Sequence, residues 1–194
     1  MTLKDFVEIK SGRTFKNGVS VSDEPTHSVI QLRDFDKDDD ETPIKWEKLS
    51  KTSIVSSRFI HVLEPNDIIM VAKGPSKKAI LLQSIPKNIV PTQHFLIIKV
   101  TDKESLTVEF LEHYLNSSIA QRWIEDNGGG SYQSTISIAT LSKLPLPDVS
   151  YRKQCLIAET ADSVKKEIFF HKQLIKSRVQ EIDQVFNDLQ GKLI

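Results

Sequence analysis

Arg13, Thr14 and Lys16 share one stretch of the chain, Gln31 and Arg33 a second, and Lys73, Ser76, Lys77 and Lys78 a third. Gln93 with His94, and Ser131 to Ser134 with Tyr132 and Gln133 between them, supply two more. Each group sits beside a run of apolar residues. Arg and Lys bind phosphate and guanine, Gln and Asn pair with adenine, and Ser and Thr serve either, so these are the side chains that hold a nucleic-acid backbone and read base edges. Lysines in a tight turn are also ordinary solvated surface, and taken alone the residue types are weak grounds. Lys plus Arg number 26 against 26 Asp plus Glu, so any nucleic-acid face must be local rather than a property of the whole chain.

Bond-making chemistry finds little support. Gly128-Gly129-Gly130 is not followed by the Lys-Ser/Thr pair of a phosphate-binding loop, nor does it follow a predicted strand. Histidines 27, 61, 94, 113 and 171 lack the i, i+4 spacing that puts two metal ligands on one helix face. Cys155, the single cysteine, excludes an internal disulfide, suits a reducing cytoplasm and has no nucleophile motif around it. The acidic run Asp36 to Glu41 reads as a solvated loop, since no turn-forming glycine spaces its carboxylates for a hard cation. Neither the amino-methyl-transfer motif nor the acidic-Lys signature of a nuclease is present. The expectation is a non-enzymatic chain with no metal and no cofactor of its own. No apolar run approaches the roughly 18 to 20 residues of a membrane span, and the N-terminus lacks a signal-peptide pattern, so a soluble cytoplasmic protein is expected.

The elements that must position these loops follow from periodicity. Thr2 with Asp5 caps a first turn, and Ser28 to Arg33 alternates as a strand. Asp67 to Ala72 is a buried-type strand whose hairpin partner is Ala79 to Leu82, across the lysine-bearing turn. Gln93 to Val100 gives another strand, and Val108 to Ser117 has helical spacing through Phe110, Leu111, Tyr114 and Leu115. Leu144-Pro145-Leu146-Pro147 is an extended strut, because each proline holds its predecessor out of helical geometry. From Tyr151 no Pro or Gly intervenes until Gly191, and Ile157, Ala161, Val164, Ile168, His171, Ile175, Arg178, Ile182, Val185 and Leu189 recur in steps of four and three. That is a heptad seam on one long helix, which needs a partner helix. The plan is an α/β globule of mixed α+β type over residues 1–147, then a spacer and dimerisation helix over 148–194 forming an antiparallel coiled coil.

Several stretches resemble, in order, one half of the specificity subunit of type I restriction-modification systems. Phe6-Val7-Glu8-Ile9-Lys10-Ser11-Gly12 with Thr14 is similar to the opening of a target recognition domain of that family, and Val29 to Asp34 to its next strand. Asp67 to Met70 with the Gly74 turn resembles the central hairpin. The run from Gly130 through Gln133, Ile136, Ser137 and Leu141 to Leu144-Pro145-Leu146-Pro147 and Gln154-Ile157-Ala158 is the most specific. It is similar to the family's Ser/Thr loop, proline strut and helix entry, with Lys153 where an acid is usual and Leu144 in place of isoleucine.

The resemblance implies a target recognition domain with one spacer helix, where complete specificity subunits carry two such units. Met1 directly before the domain favours a self-standing half. It further implies double-stranded DNA as ligand, with a modification methyltransferase subunit and a restriction subunit as partners. S-adenosylmethionine and ATP with magnesium would be held by those partners. Homodimerisation through the helix would present two identical domains to an interrupted palindrome. Expected DNA-contacting positions are Arg13, Lys16, Lys73, Lys77 and Lys78 for phosphates, and Gln31, Arg33, Gln93, Tyr132 and Gln133 for bases. The competing expectations are a coiled-coil adaptor or transcription regulator whose globule binds protein, and a nuclease with its site between the strands.

Overall fold

The computed structural model describes residues 1–36, 42–54, 60–74, 76–129 and 135–191, the last two without their side chains. Two units follow one another, Met1–Ala158 and Glu159–Ile194.

The first unit is built on a four-stranded sheet in the order β1 (Val7–Ser11), β7 (Phe95–Val100), β4 (Ile68–Val71) and β5 (Ala79–Leu81), antiparallel throughout. Strands β4 and β7 read as nearly unbroken apolar runs because both faces of this sheet are covered. Ile68, Met70, Leu96, Ile98 and Val100 point to one face, where they meet α1 (Val108–Asn116), α2 (Ser118–Asn127) and α3 (Ile138–Leu141) through Phe110, Leu111, Leu115, Ile124 and Leu141. Their neighbours Ile69, Val71, Phe95 and Ile97 point to the other, following the period of two. There they pack on a three-stranded sheet ordered β3 (Ser50–Thr52), β2 (His27–Ile30) and β6 (Ile89–Pro91), through Ile30, Leu49 and Ile89. The result is a layer of helices, a layer of four strands and a layer of three.

The hairpin β4–β5 pairs as expected, Ile68 opposite Leu81 and Met70 opposite Ala79. The helix read from Val108 is α1, with Thr107 Oγ1 accepting from the Phe110 N–H at its start. Strand β2 is shorter than its sequence implies. It stops at Ile30, and Leu32–Asp34 forms a 3₁₀ turn because the Asp34 carboxylate accepts the Gln31 N–H at 2.9 Å and rolls the chain over. The strut closes the domain: the Leu3 N–H donates to the Leu144 carbonyl at 2.9 Å and the Leu146 N–H to Met1 at 3.1 Å. Helix α4 (Tyr151–Gly191) then runs 41 residues, about 60 Å at 1.5 Å per residue. Its start belongs to the compact unit, where Gln154 and Ala158 are buried.

Within Glu159–Ile194 the helix leaves a row of apolar side chains exposed, including Val164, Ile168, Ile175, Val179, Ile182, Val185, Phe186 and Leu189. His171 lies within 3.7 Å of Glu167, and Arg178 Nη1 donates to Glu181 at 2.7 Å, both among exposed groups.

Candidate nucleic-acid interface

Strand directions decide where the polar loops meet. β1 ends at Ser11 opposite Leu96, β4 ends at Val71 opposite Phe95, and the parallel pair β2–β6 ends at Ile30 opposite Pro91. The ends of β1, β2, β4 and β6 and the start of β7 therefore share one edge, and the segments that follow are those carrying the polar residues. Backbone hydrogen bonds tie them together. Gly12 N–H donates to Phe95, Arg13 N–H to Pro91, Gln93 N–H to Arg13 and Thr92 N–H to Ile30, at 2.8 to 3.0 Å. Ala72 N–H reaches the His94 carbonyl, Ile136 N–H the Ala72 carbonyl, and Lys73 bridges Thr135.

Gly12 is the crossing point. A Cβ there would lie 2.2 Å from the Thr92 carbonyl oxygen and 2.6 Å from that of Pro91, so only glycine lets β1's exit pass this close to β6. Gly74, with φ of 131°, takes the lysine turn through backbone space that a side chain disfavours.

The side chains are held rather than loose. The Arg13 guanidinium stands 5.9 Å from the centre of the Phe15 ring, a cation–π distance that steadies it. Thr14 Oγ1 donates to Gln93 Oε1 at 2.9 Å, which holds that amide by its oxygen. Gln31 Nε2 and Arg33 Nη2 both donate to Ser50 Oγ, at 3.0 and 2.9 Å, and Arg33 Nε lies 3.7 Å from Asp34. A single serine on β3 thus sets the aim of two neighbouring residues. Lys16 and Lys73 are exposed, and Lys78 is half-buried.

Lys77 departs from the expected surface cation. It is 5% exposed, and its Nζ donates to the Gly74 carbonyl at 2.7 Å. Burial pushes its pKa down, because an ammonium loses hydration there. Lys77 braces the turn from inside. Of the expected positions, Arg13, Lys16, Gln31, Arg33, Lys73, Lys78 and Gln93 come together at this edge, while Tyr132 and Gln133 lie outside the described residues. Residue-type reasoning passed over Phe15 and Ser50. The Arg-x-Phe spacing was a signal for the first; nothing local marks a serine 17 positions beyond Arg33.

Among the described residues no three His, Cys, Asp or Glu side chains gather as a metal site, and no helix is long and apolar enough to cross a membrane. Residues 37–41 of the acidic run lie outside the description. At the opposite end of the chain Gln154 is buried, donating to the Ser105 and Val149 carbonyls at 2.8 and 2.9 Å and accepting from the Thr107 N–H at 3.0 Å. It pins the entry of α4 to the start of α1.

The chain is thus a mixed α+β module with its polar loops at one end of its sheets, followed by a long helix. The chain belongs to the type I restriction modification DNA specificity domain family, whose model matches residues 1–179. No curated protein matches it. Among solved structures, the S subunit of the type I restriction-modification system from M. genitalium is similar with a TM-score of 0.55 and 17% identity, over 86% of this chain and 38% of its own. The HsdS subunit from Thermoanaerobacter tengcongensis is similar with a TM-score of 0.57 and 15% identity, over 89% and 38%. A chain from a study of complex assembly and conformational transition of the type I R-M system reaches 0.67 at 15% identity, over 95% and 42%. The chain thus shares their fold and spans less than half the length of each.

Proposed function

We propose that this chain is the DNA-reading specificity component of a type I restriction-modification complex, carrying one target recognition domain and one spacer helix. The observation that supports this most is the gathering of Arg13, Lys16, Gln31, Arg33, Lys73 and Gln93 at one sheet edge, in a chain of the DNA specificity family. Arg13, Lys16, Lys73 and Lys78 contact phosphates and give salt-dependent affinity. Gln31, Arg33 and Gln93, with Tyr132 and Gln133, read bases. Two copies pair through α4 and read the two halves of an interrupted palindrome.

The chain itself makes and breaks no bonds. It docks a modification subunit that uses S-adenosylmethionine to methylate an adenine flipped from the duplex, and through it an ATP-driven restriction subunit. The test combines the purified chain with the methyltransferase of its own system and maps methylated adenines across a genome. Methylation confined to one bipartite sequence, and absent when the chain is withheld, is the expected result. Methylation indifferent to the chain, with no DNA affinity beside the methyltransferase, would leave the adaptor reading instead. Cleavage by the chain alone with a divalent metal would establish the nuclease.

A further inference from the structure

The lysine turn is joined to the helix layer by side chains. In the β4–β5 hairpin the Val71 N–H donates to the Lys78 carbonyl and the Leu82 N–H to the Asp67 carbonyl, and Met70 stands opposite Ala79. An antiparallel ladder alternates, so Lys77 and Ala79 turn their backbone groups away from β4, to the open edge of the sheet. Two amides meet them there. Asn116, the last residue of α1, accepts from the Ala79 N–H through Oδ1 and donates to the Ala79 carbonyl through Nδ2, both at 2.9 Å. Gln121 on α2 donates through Nε2 to the Lys77 carbonyl at 3.2 Å. These are the bonds that a fifth strand would make.

Both amides are aimed by the corner between the helices. Ser117 ends α1 and begins α2: its N–H donates to the Tyr114 carbonyl at 3.0 Å, and its hydroxyl accepts from the Ala120 N–H at 3.2 Å. Gln121 Nε2 also holds the Leu115 carbonyl at 2.7 Å, and Asn116 Nδ2 lies 2.9 Å from Oε1 of the buried Glu112. What this fixes is register. Successive side chains point to opposite faces, so with Ala79 held in place Lys77 goes inward beside it and Lys78 goes to the other face. A slip of one residue would exchange the two lysines. Lys77 then reaches across to the Gly74 carbonyl, which carries the constraint to the limb that bears Lys73.

We propose that Asn116 and Gln121 are positioning residues for DNA binding: in place of a fifth strand they set the register of the lysine turn and hold Lys73 and Lys78 as a preformed phosphate-binding unit. The proposal rests on the DNA-reading function proposed above and places these two residues behind the contacting ones rather than among them. Lys73, Lys77 and Lys78 repel one another across a short turn, and the turn passes through Gly74 at a φ of 131°, so a released turn would spread. Ordering it on the duplex would cost affinity, and ordering it beforehand removes that cost.

The test uses the full chain with the methyltransferase of its own system on a duplex carrying the methylated sequence, with affinity measured across salt concentrations and circular dichroism confirming folding. Asn116→Ala and Gln121→Ala should each weaken binding about five- to tenfold, while the slope of log affinity against log salt stays within about 0.5 of wild type, because the same phosphates are contacted once bound. Added to Lys73→Ala with Lys78→Ala, Asn116→Ala should cost less than about twofold more, since it acts through those lysines. Amide exchange in the free chain reads the contact itself: the Ala79 N–H should exchange at least about tenfold faster in Asn116→Ala. Wild-type affinity in a variant with that faster exchange would overturn the proposal. So would a full additive loss on top of the two lysine substitutions, which marks a general loss of stability. If Asn116→Ala does not fold, Gln121→Ala, which gives up a single turn carbonyl, decides the affinity measurements. Equal binding by wild type and the double lysine variant would overturn the DNA-contact reading of this turn and the proposal with it, whatever the exchange shows.

Discussion

Replacing Gln154 by alanine should loosen the joint between α1 and α4 more than its size implies. The side chain is 4% exposed and satisfies three backbone groups at once, the Ser105 and Val149 carbonyls and the Thr107 N–H. Each buried group left without a partner costs about 1–3 kcal/mol, and entry of water into the vacated space offsets part of the sum. The net loss comes to about 3–5 kcal/mol, out of a total stability on the order of 5–15 kcal/mol. For a domain of this size that lowers Tm by about 6–20 °C. Both tryptophans, Trp46 and Trp123, lie in Met1–Ala158, so urea and thermal unfolding followed by their fluorescence report on that unit alone. A loss below about 1 kcal/mol would refute the claim that Gln154 satisfies these groups. Gln154→Glu sharpens the test through its sign. An ionised carboxylate still accepts from Thr107 but cannot donate to either carbonyl, and burial raises its pKa. Its protonated form is the one the fold favours, so this variant's stability should rise as pH falls toward the unfolded carboxylate pKa; the opposite trend would refute the donor role.

Gly12→Ala should push the Arg13 loop off β6, since the added carbon meets the Thr92 carbonyl oxygen at 2.2 Å; both stability and DNA protection by the methyltransferase complex should fall, and retention of both would show the crossing to be adaptable. Ser50→Ala removes the acceptor shared by Gln31 and Arg33, and should change which sequences are methylated while leaving the urea midpoint nearly unmoved. Arg13→Ala and Lys73→Ala should weaken binding about equally on all sequences, each reducing the slope of log affinity against log salt by about 1. Asp67 is buried with its Oδ1 unpartnered, and burial pushes its pKa up. Its ionised form therefore opposes folding above the raised pKa, and stability regained as pH falls through that value should vanish in Asp67→Asn, which should also be the more stable protein at neutral pH.

Parts of this fold that advertise themselves locally were legible. The hairpin of Ile68–Val71 and Ala79–Leu81 is an apolar run, a glycine turn and a second apolar run, and it pairs as such. The 41-residue helix is visible from composition alone. What escaped depends on distant partners. Strands of three residues, Ser50–Thr52 and Ile89–Pro91, are too short to show a period, and the parallel pairing of Ser28 with Ile89 joins segments far apart in sequence. The strand reading of Gln31 to Arg33 failed because a side chain, Asp34, bonds the backbone and overrides the alternation. Loop composition singled out polar segments that leave one end of the sheets, but charge cannot say which of three lysines in a turn folds inward, and it is Lys77 that the Gly74 carbonyl captures.

The pairing of Met1 to Leu3 with Leu144 to Leu146 bears on how the protein is made. Residues at the front of the chain emerge from the ribosome first, yet Val7 and Ile9 pair with β7, about 90 residues further on, and Leu3 with the proline strut near the end of the domain. At ordinary translation speeds Leu3, Val7 and Ile9 wait on the order of ten seconds for them, with apolar surface unburied. Such long-range closure makes folding slow, so the domain should complete itself only after Gln154 is synthesised, and a nascent chain arrested before Leu144 should remain protease-sensitive throughout.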